Sequence, residues 1–233
     1  MSTASEARQA LIDLATLTRR ELFEIWQALA GIEDAAVLRD ALMEIIPALG
    51  DEYGAAAAAL AADWYDDLRA EAGVAGRFLA EPVALPDRGR YESLVRWGVS
   101  PLFAAEPDRA ASLTLIEGGL QRTVADQHRL TVVENTKRDS QAKGWRRVGV
   151  GGSCGFCRML IDRGHVFTEE SVTFRSHDHC NCAASPTWDD NVVKVSTAAY
   201  EQSTNRPRSN EARRKRNQAA YAYIREQYGA GAL

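Results

Sequence analysis

The chain has few of the residues that carry most metal and redox chemistry: only four cysteines and four histidines among 233 residues. It has no H-E-x-x-H, so the sequence signature of a zinc-protease helix is missing. No 18-residue stretch lacks charge, and no membrane-spanning helix is expected. The first thirty residues lack a basic start followed by an apolar run, so no secretory leader is expected either. Synthesis in a reducing cytoplasm follows, where clustered thiols bind metal more readily than they form a disulfide framework. No internal repeat is found. The net charge of −4 is unevenly divided. Residues 1–205 carry 21 Lys/Arg against 30 Asp/Glu, a net of −9, whereas residues 206–233 carry 7 against 2, a net of +5. An acidic body argues against a general nucleic-acid binder, and the basic tail suits an acidic partner.

What is present is mostly helical periodicity. Leu11, Leu14, Leu17, Leu22, Ile25, Trp26 and Leu29 share one face of a helix expected over 5–30. A second helix is expected over 33–46, ended or restarted by Pro47, and a third over 48–72 with an alanine run. An extended link through Pro82 and Pro86 leads to a helix over 89–103. A long helix over 108–140 then carries Leu113, Ile116, Leu120, Val124, His128 and Val132 on one stripe, and Gly118-Gly119 marks a kink or a close crossing. Trp64, Trp97 and Trp145 read as core, and His128 as a core or interface histidine.

After Ser140 the pattern changes to short strands, at 145–150, 165–168 and 172–174. An edge strand over 191–195, a polar linker and a last helix over 210–228 follow. The fold class is therefore α+β, mainly α. A helical body (1–140) is followed by a small zinc-stapled, β-containing module (141–190), then by a linker and a basic C-terminal helix (191–233).

All four cysteines fall in that module. Cys154 and Cys157 form a C-x2-C pair, separated by 22 residues (158–179) from Cys180 in the run His177-Asp178-His179-Cys180-Asn181-Cys182. Two tight ligand pairs joined by a loop suit a tetrahedral structural Zn2+ site. The second half can be read as His177 with Cys180, as His179 with Cys182, or as Cys180 with Cys182 in a four-thiolate site. Spacing does not choose among them; the set favoured here is Cys154, Cys157, His177 and Cys180, with Cys182 as the replacement ligand. Four protein ligands leave no position for water, which favours a structural over an enzymatic role. With three ligands a hydrolytic zinc would need Asp178, Glu169 or Glu170 as base.

The order Cys154-Gly155-Phe156-Cys157-Arg158-Met159-Leu160, Arg163-Gly164-His165-Val166-Phe167, then His177 to Cys182 and Pro186 resembles the phage Mu F-like (MuF-like) minor head proteins, especially their actinobacteriophage branch. The likeness is specific over about residues 140–190. Ala61 to Asp66 and Ala75 to Phe78 are also similar to that branch. Cys154, Cys157, His177, Cys180 and Cys182 fall on motif positions, while Asp178-His179 stands where many relatives carry Pro and a small polar residue. The resemblance implies a virion protein in few copies, inside the head near the portal and needed for head morphogenesis. Its partners would be the portal and/or the major capsid protein. Arg213, Arg214, Lys215 and Arg216 would be a candidate contact to packaged DNA, and no membrane is involved. The same branch is also labelled capsid maturation protease, an alternative for which the resemblance places no residue.

Overall fold

The computed structural model describes residues 3–149, 155–162, 164, 166–168, 174, 176–180, 182–191, 211 and 222, with side chains from residue 9 onward except those of 155, 156 and 159. The elements are α1 (Thr3–Ala28), α2 (Ala35–Glu71), α3 (Arg88–Gly98), a 3-10 turn (Ser100–Phe103) and α4 (Arg109–Arg138), then β1 (Gly144–Val148), α5 (Gly155–Asp162), β2 (Val166–Phe167) and β3 (Ala183–Thr187). The expected class, α+β and mainly α, is the one observed. The basic helix expected over 210–228 lies outside the described residues, apart from Glu211 and Ala222. So does the expected strand over 191–195 beyond Asn191.

Aspartates open three of the helices by accepting from otherwise unsatisfied amides. Asp34 takes the amides of Ala36 and Val37 at 2.7 and 3.1 Å, Asp87 that of Gly89 at 2.7 Å, and Asp108 that of Ala111 at 2.8 Å. The expected break at Pro47 does not occur, and α2 runs unbroken through it. Proline leaves the carbonyl four residues earlier without its helical donor. Here Arg88 of α3 reaches Met43 O at 3.2 Å and fills that place. The continuity of α2 thus depends on a residue distant in sequence.

Helix α4 is the axis on which α1, α2, α3 and the sheet all pack. Its burial extends well beyond the expected stripe, to Gln121, Thr123, Gln127, Arg129, Thr131, Asn135 and Thr136. Thr123 and Thr136 donate back to the carbonyls of Gly119 and Val132 at 2.9 and 2.7 Å. Asn135 exchanges two hydrogen bonds with the Glu81 backbone, at 3.0 and 2.8 Å, and Thr131 accepts from Val83 N at 3.1 Å. These three bonds fasten the extended link along α4. Gly118-Gly119 mark close crossings without ending the helix. A β-carbon on Gly119 would strike Leu94 of α3, and one on Gly118 would lie 2.5 Å from His179 Nε2. Trp64 and Trp145 are buried as expected, but Trp97 is 47% exposed, because the face of α3 that packs inward carries Tyr91, Leu94 and Val95.

The sheet has the order β2-β1-β3, with β1 antiparallel to both neighbours. Trp145 pairs with Phe167 across β1 and β2, their rings stacked at 4.5 Å. The sequence reading missed β3, whose Ala-Ala-Ser-Pro-Thr has weak strand propensity. It forms because β1 offers five paired positions, from Gly144↔Thr187 to Val148↔Ala183, and Pro186 is tolerated on an edge strand.

A buried ion pair ties sheet and helices together. Arg69 Nε of α2 lies 3.1 Å from Asp139 Oδ2, just past α4, and that oxygen also accepts from Trp188 Nε1 at 2.9 Å and Tyr65 OH at 3.3 Å. The other nitrogens of Arg69 take the carbonyls of Val74, Ala75 and Gly76, closing the turn after α2. Burial pushes the Asp139 carboxyl up, but donors from Trp188, the Gln141 amide and Arg69 outweigh it and hold the group below its ordinary value. The carboxylate's stabilisation is thus complete above the ordinary aspartate range and is lost as pH falls through the depressed value. Asp139→Asn keeps one acceptor oxygen, turns the other into a donor and loses the charge facing Arg69. It is expected to cost about 2–3 kcal/mol at neutral pH and to flatten the acid limb of stability, measured by urea unfolding across pH 3–7.

Candidate metal centre

Helix α5 places Cys157 in its first turn, and Cys180 and Cys182 lie in the turn just before β3. The three sulfurs converge, with Cys157 Sγ 3.4 Å from Cys180 Sγ and 3.5 Å from Cys182 Sγ, and the last two 2.9 Å apart. All three thiols are free and buried, and Cys182 is 0% exposed. They lie close enough together to bind a metal ion. They also belong to one core with Ala61, Trp64 and Tyr65 of α2, Val132 and Val133 of α4, and Trp145, Val148 and Phe174. The cysteines are therefore continuous with the helical body across residue 140.

Helix α4 holds the cysteine turn in place. Arg129 is 1% exposed and donates through Nε to Cys182 O at 2.8 Å and through Nη2 to Cys180 O at 2.7 Å. Its Nη1 reaches Asp126 Oδ1 at 2.7 Å and Ser176 Oγ at 2.8 Å. Ser176 in turn donates to Asp126 at 3.0 Å, and Arg90 joins the same carboxylate at 2.6 Å. Arg122 pairs with Asp178 at 3.0 Å. His179 adopts the left-handed backbone region, φ 58°, and rests in the space that Gly118 leaves open. Histidine visits that region more often than most residues, and here it turns the chain sharply just before Cys180.

Of the five residues singled out by spacing, the fold brings together Cys157, Cys180 and Cys182, while Cys154 lies outside the described residues. His177 is not in the group. It is exposed, and its Nδ1 donates to the Asp178 carbonyl at 2.6 Å. Among the described residues the sulfur that joins Cys157 and Cys180 is that of Cys182, drawn inward past the turn at Asp178–His179, with His177 at the surface before that turn. His128 is a core residue, 1% exposed and 5.1 Å from the Trp64 ring. Burial, and then the charge of Arg129, push its imidazole down to about 3, so it stays neutral.

Sequence reasoning missed the polar frame of Arg129, Asp126, Ser176 and Arg147. Only Arg147 left a signal, since a two-residue period puts it on the same strand face as Trp145. Arg147 Nη1 donates to Cys182 Sγ at 2.8 Å. The sulfurs differ in acidity. Hydrogen bonds with Cys180 and Cys182, followed by burial, push the Cys157 thiol up. Hydrogen bonds from Cys157 and Cys180, and then the charges of Arg129 and Arg147, hold Cys182 below the ordinary thiol value despite its burial.

Among the described residues, no helix is long and apolar enough to cross a membrane. A family model described as VG15 protein matches residues 1–224. No curated protein and no solved structure matches the chain.

Proposed function

We propose that this chain, which belongs to the VG15 family of phage proteins, is a structural virion component: a Mu F-like minor capsid protein for head morphogenesis, inside the head near the portal. Its cysteine module is stapled by zinc. The observation that carries this reading is the convergence of Cys157, Cys180 and Cys182 inside the core that also holds α2 and α4. An ion there fastens two remote points of the chain, α5 and the turn before β3, and adds folding energy to the core they share with α2 and α4. Zinc takes thiolates at about 2.3 Å in a tetrahedron, which sets sulfur–sulfur edges of roughly 3.8 Å. The observed separations of 2.9 to 3.5 Å require only small outward shifts to reach them. Cys154, three residues before Cys157, supplies the fourth thiolate in this reading, with the portal or major capsid protein as partner.

Co-expression with the portal, major capsid and scaffold proteins tests this. Wild-type chain is expected to co-purify with assembled heads in few copies and to carry zinc, and Cys157→Ser is expected to be lost from heads. Cleavage of a capsid or scaffold protein by wild type, abolished by a single Ser or His change that leaves the fold intact, would replace the structural role with that of a maturation protease.

A further inference from the structure

Arg147 projects from β1 on the face it shares with Trp145 and is 7% exposed. Its Nη1 donates to Cys182 Sγ at 2.8 Å and stands 3.9 Å from Cys157 Sγ. The guanidinium lies over the Phe174 ring, 3.9 Å from its centroid, and Arg129 flanks the same ring at 5.0 Å. Cation–π contact with an aromatic face fixes the plane of the guanidinium and so the direction of its N–H groups. Among the described residues, Arg147 is the cation whose nitrogen reaches a cysteine sulfur, since Arg129 spends its donors on two carbonyls, Asp126 and Ser176.

Such a donor suits one state of the sulfur better than the other. A neutral thiol is a weak acceptor and does little to offset a guanidinium taken out of water, whereas a thiolate forms a charge-assisted bond with it. A divalent ion bound by three thiolates leaves the centre with one negative charge, and by four with two. In a site as closed as this one, fixed protein donors must meet that charge.

We infer that Arg147 is a positioning residue of the metal centre: its guanidinium, fixed over the Phe174 ring, aims the Cys182 sulfur at the ion and supplies counter-charge to an anionic, thiolate-rich complex. This rests on the metal reading given above and extends it to a residue outside the ligand set. Arginine suits the task because it stays charged when buried and stacks on the ring, whereas lysine does neither as well. The centre would accordingly select a thiophilic divalent ion over a hard cation such as Mg2+.

The full chain is tested as wild type, Arg147→Met and Arg147→Lys, by zinc competition against a chromophoric chelator and by the absorption spectrum of the cobalt(II)-loaded protein. Arg147→Met is expected to lose about 10–100-fold in zinc affinity, as when other supporting partners of metal ligands are removed. Its sulfur-to-cobalt charge-transfer band should move to lower energy, because a thiolate relieved of a cationic donor gives up its electron more readily. Loss of fold alone would not shift that band in the protein that still binds. Arg147→Lys should recover part of the affinity. If wild type binds zinc and Arg147→Met keeps both its affinity and its band position, the inference fails while the metal reading stands. If wild type binds no transition metal, both fail. Should Arg147→Met not fold, Arg147→Lys decides, and wild-type affinity with an unshifted band would overturn the role.

Discussion

Treating the zinc-loaded protein with a strong chelator, or replacing Cys182 with serine, is expected to open the sheet module while leaving much of the helical body folded. Cys182 immediately precedes β3, whose five residues pair, among the described residues, with β1 alone. Such a short edge strand of weak propensity needs an anchor at one end, and the sulfur cluster provides it. Trp145, stacked on Phe167 and 5.4 Å from Phe174, reports the event through its fluorescence. Binding energies of about 10–16 kcal/mol for isolated zinc-finger peptides set the upper limit. The helical body has a second core of its own, with Leu22, Trp26, Leu42, Ile46, Tyr91, Ile116 and Leu120, so only part of that sum is at stake. An effect of about 4 kcal/mol moves the melting point by roughly 8–16 °C in a chain of this size. Amide exchange should lose protection at 144–148 and 183–187 and keep it near Leu42, Ile46 and Ile116. Equal protection before and after chelation would remove the staple from the account.

The contrast between body and module also explains what could be read from the sequence. Helices were legible because apolar residues recur along them at helical spacing. Continuity through Pro47 was not, since it turns on Arg88 reaching Met43 O from another helix. In the module, the cysteine cluster was legible as composition and spacing, and the metal-binding chemistry followed from residue type. The choice between His177 and Cys182 was not legible. It depends on the left-handed turn at His179, and that turn depends on Gly118 having no side chain. Spacing constrains which residues are neighbours along the chain. Which of them face inward is decided by the surface they dock on, here α4.

That dependence gives the sharpest test of the join between body and module, Arg129→Met. The substitution keeps much of the apolar stem but removes donors to Cys180 O, Cys182 O, Asp126 and Ser176, all between 2.7 and 2.8 Å. Two carbonyls of the cysteine turn then lose a buried donor, and Asp126 keeps Arg90 and Ser176. Breaking one side of a buried charged network costs about 3–5 kcal/mol, most of it from the groups left behind. Arg129→Lys should recover little, because one ammonium cannot span both carbonyls and the carboxylate as the planar fork does. Adding Asp126→Asn to Arg129→Met removes the charge that Arg129 faced, so the double change is expected to cost less than the sum of the two single ones. Urea unfolding of wild type, the lysine variant, the two single changes and the double change, with metal held in excess, measures this. Strict additivity, or full stability in the lysine variant, would mean that the cysteine turn holds its shape without α4.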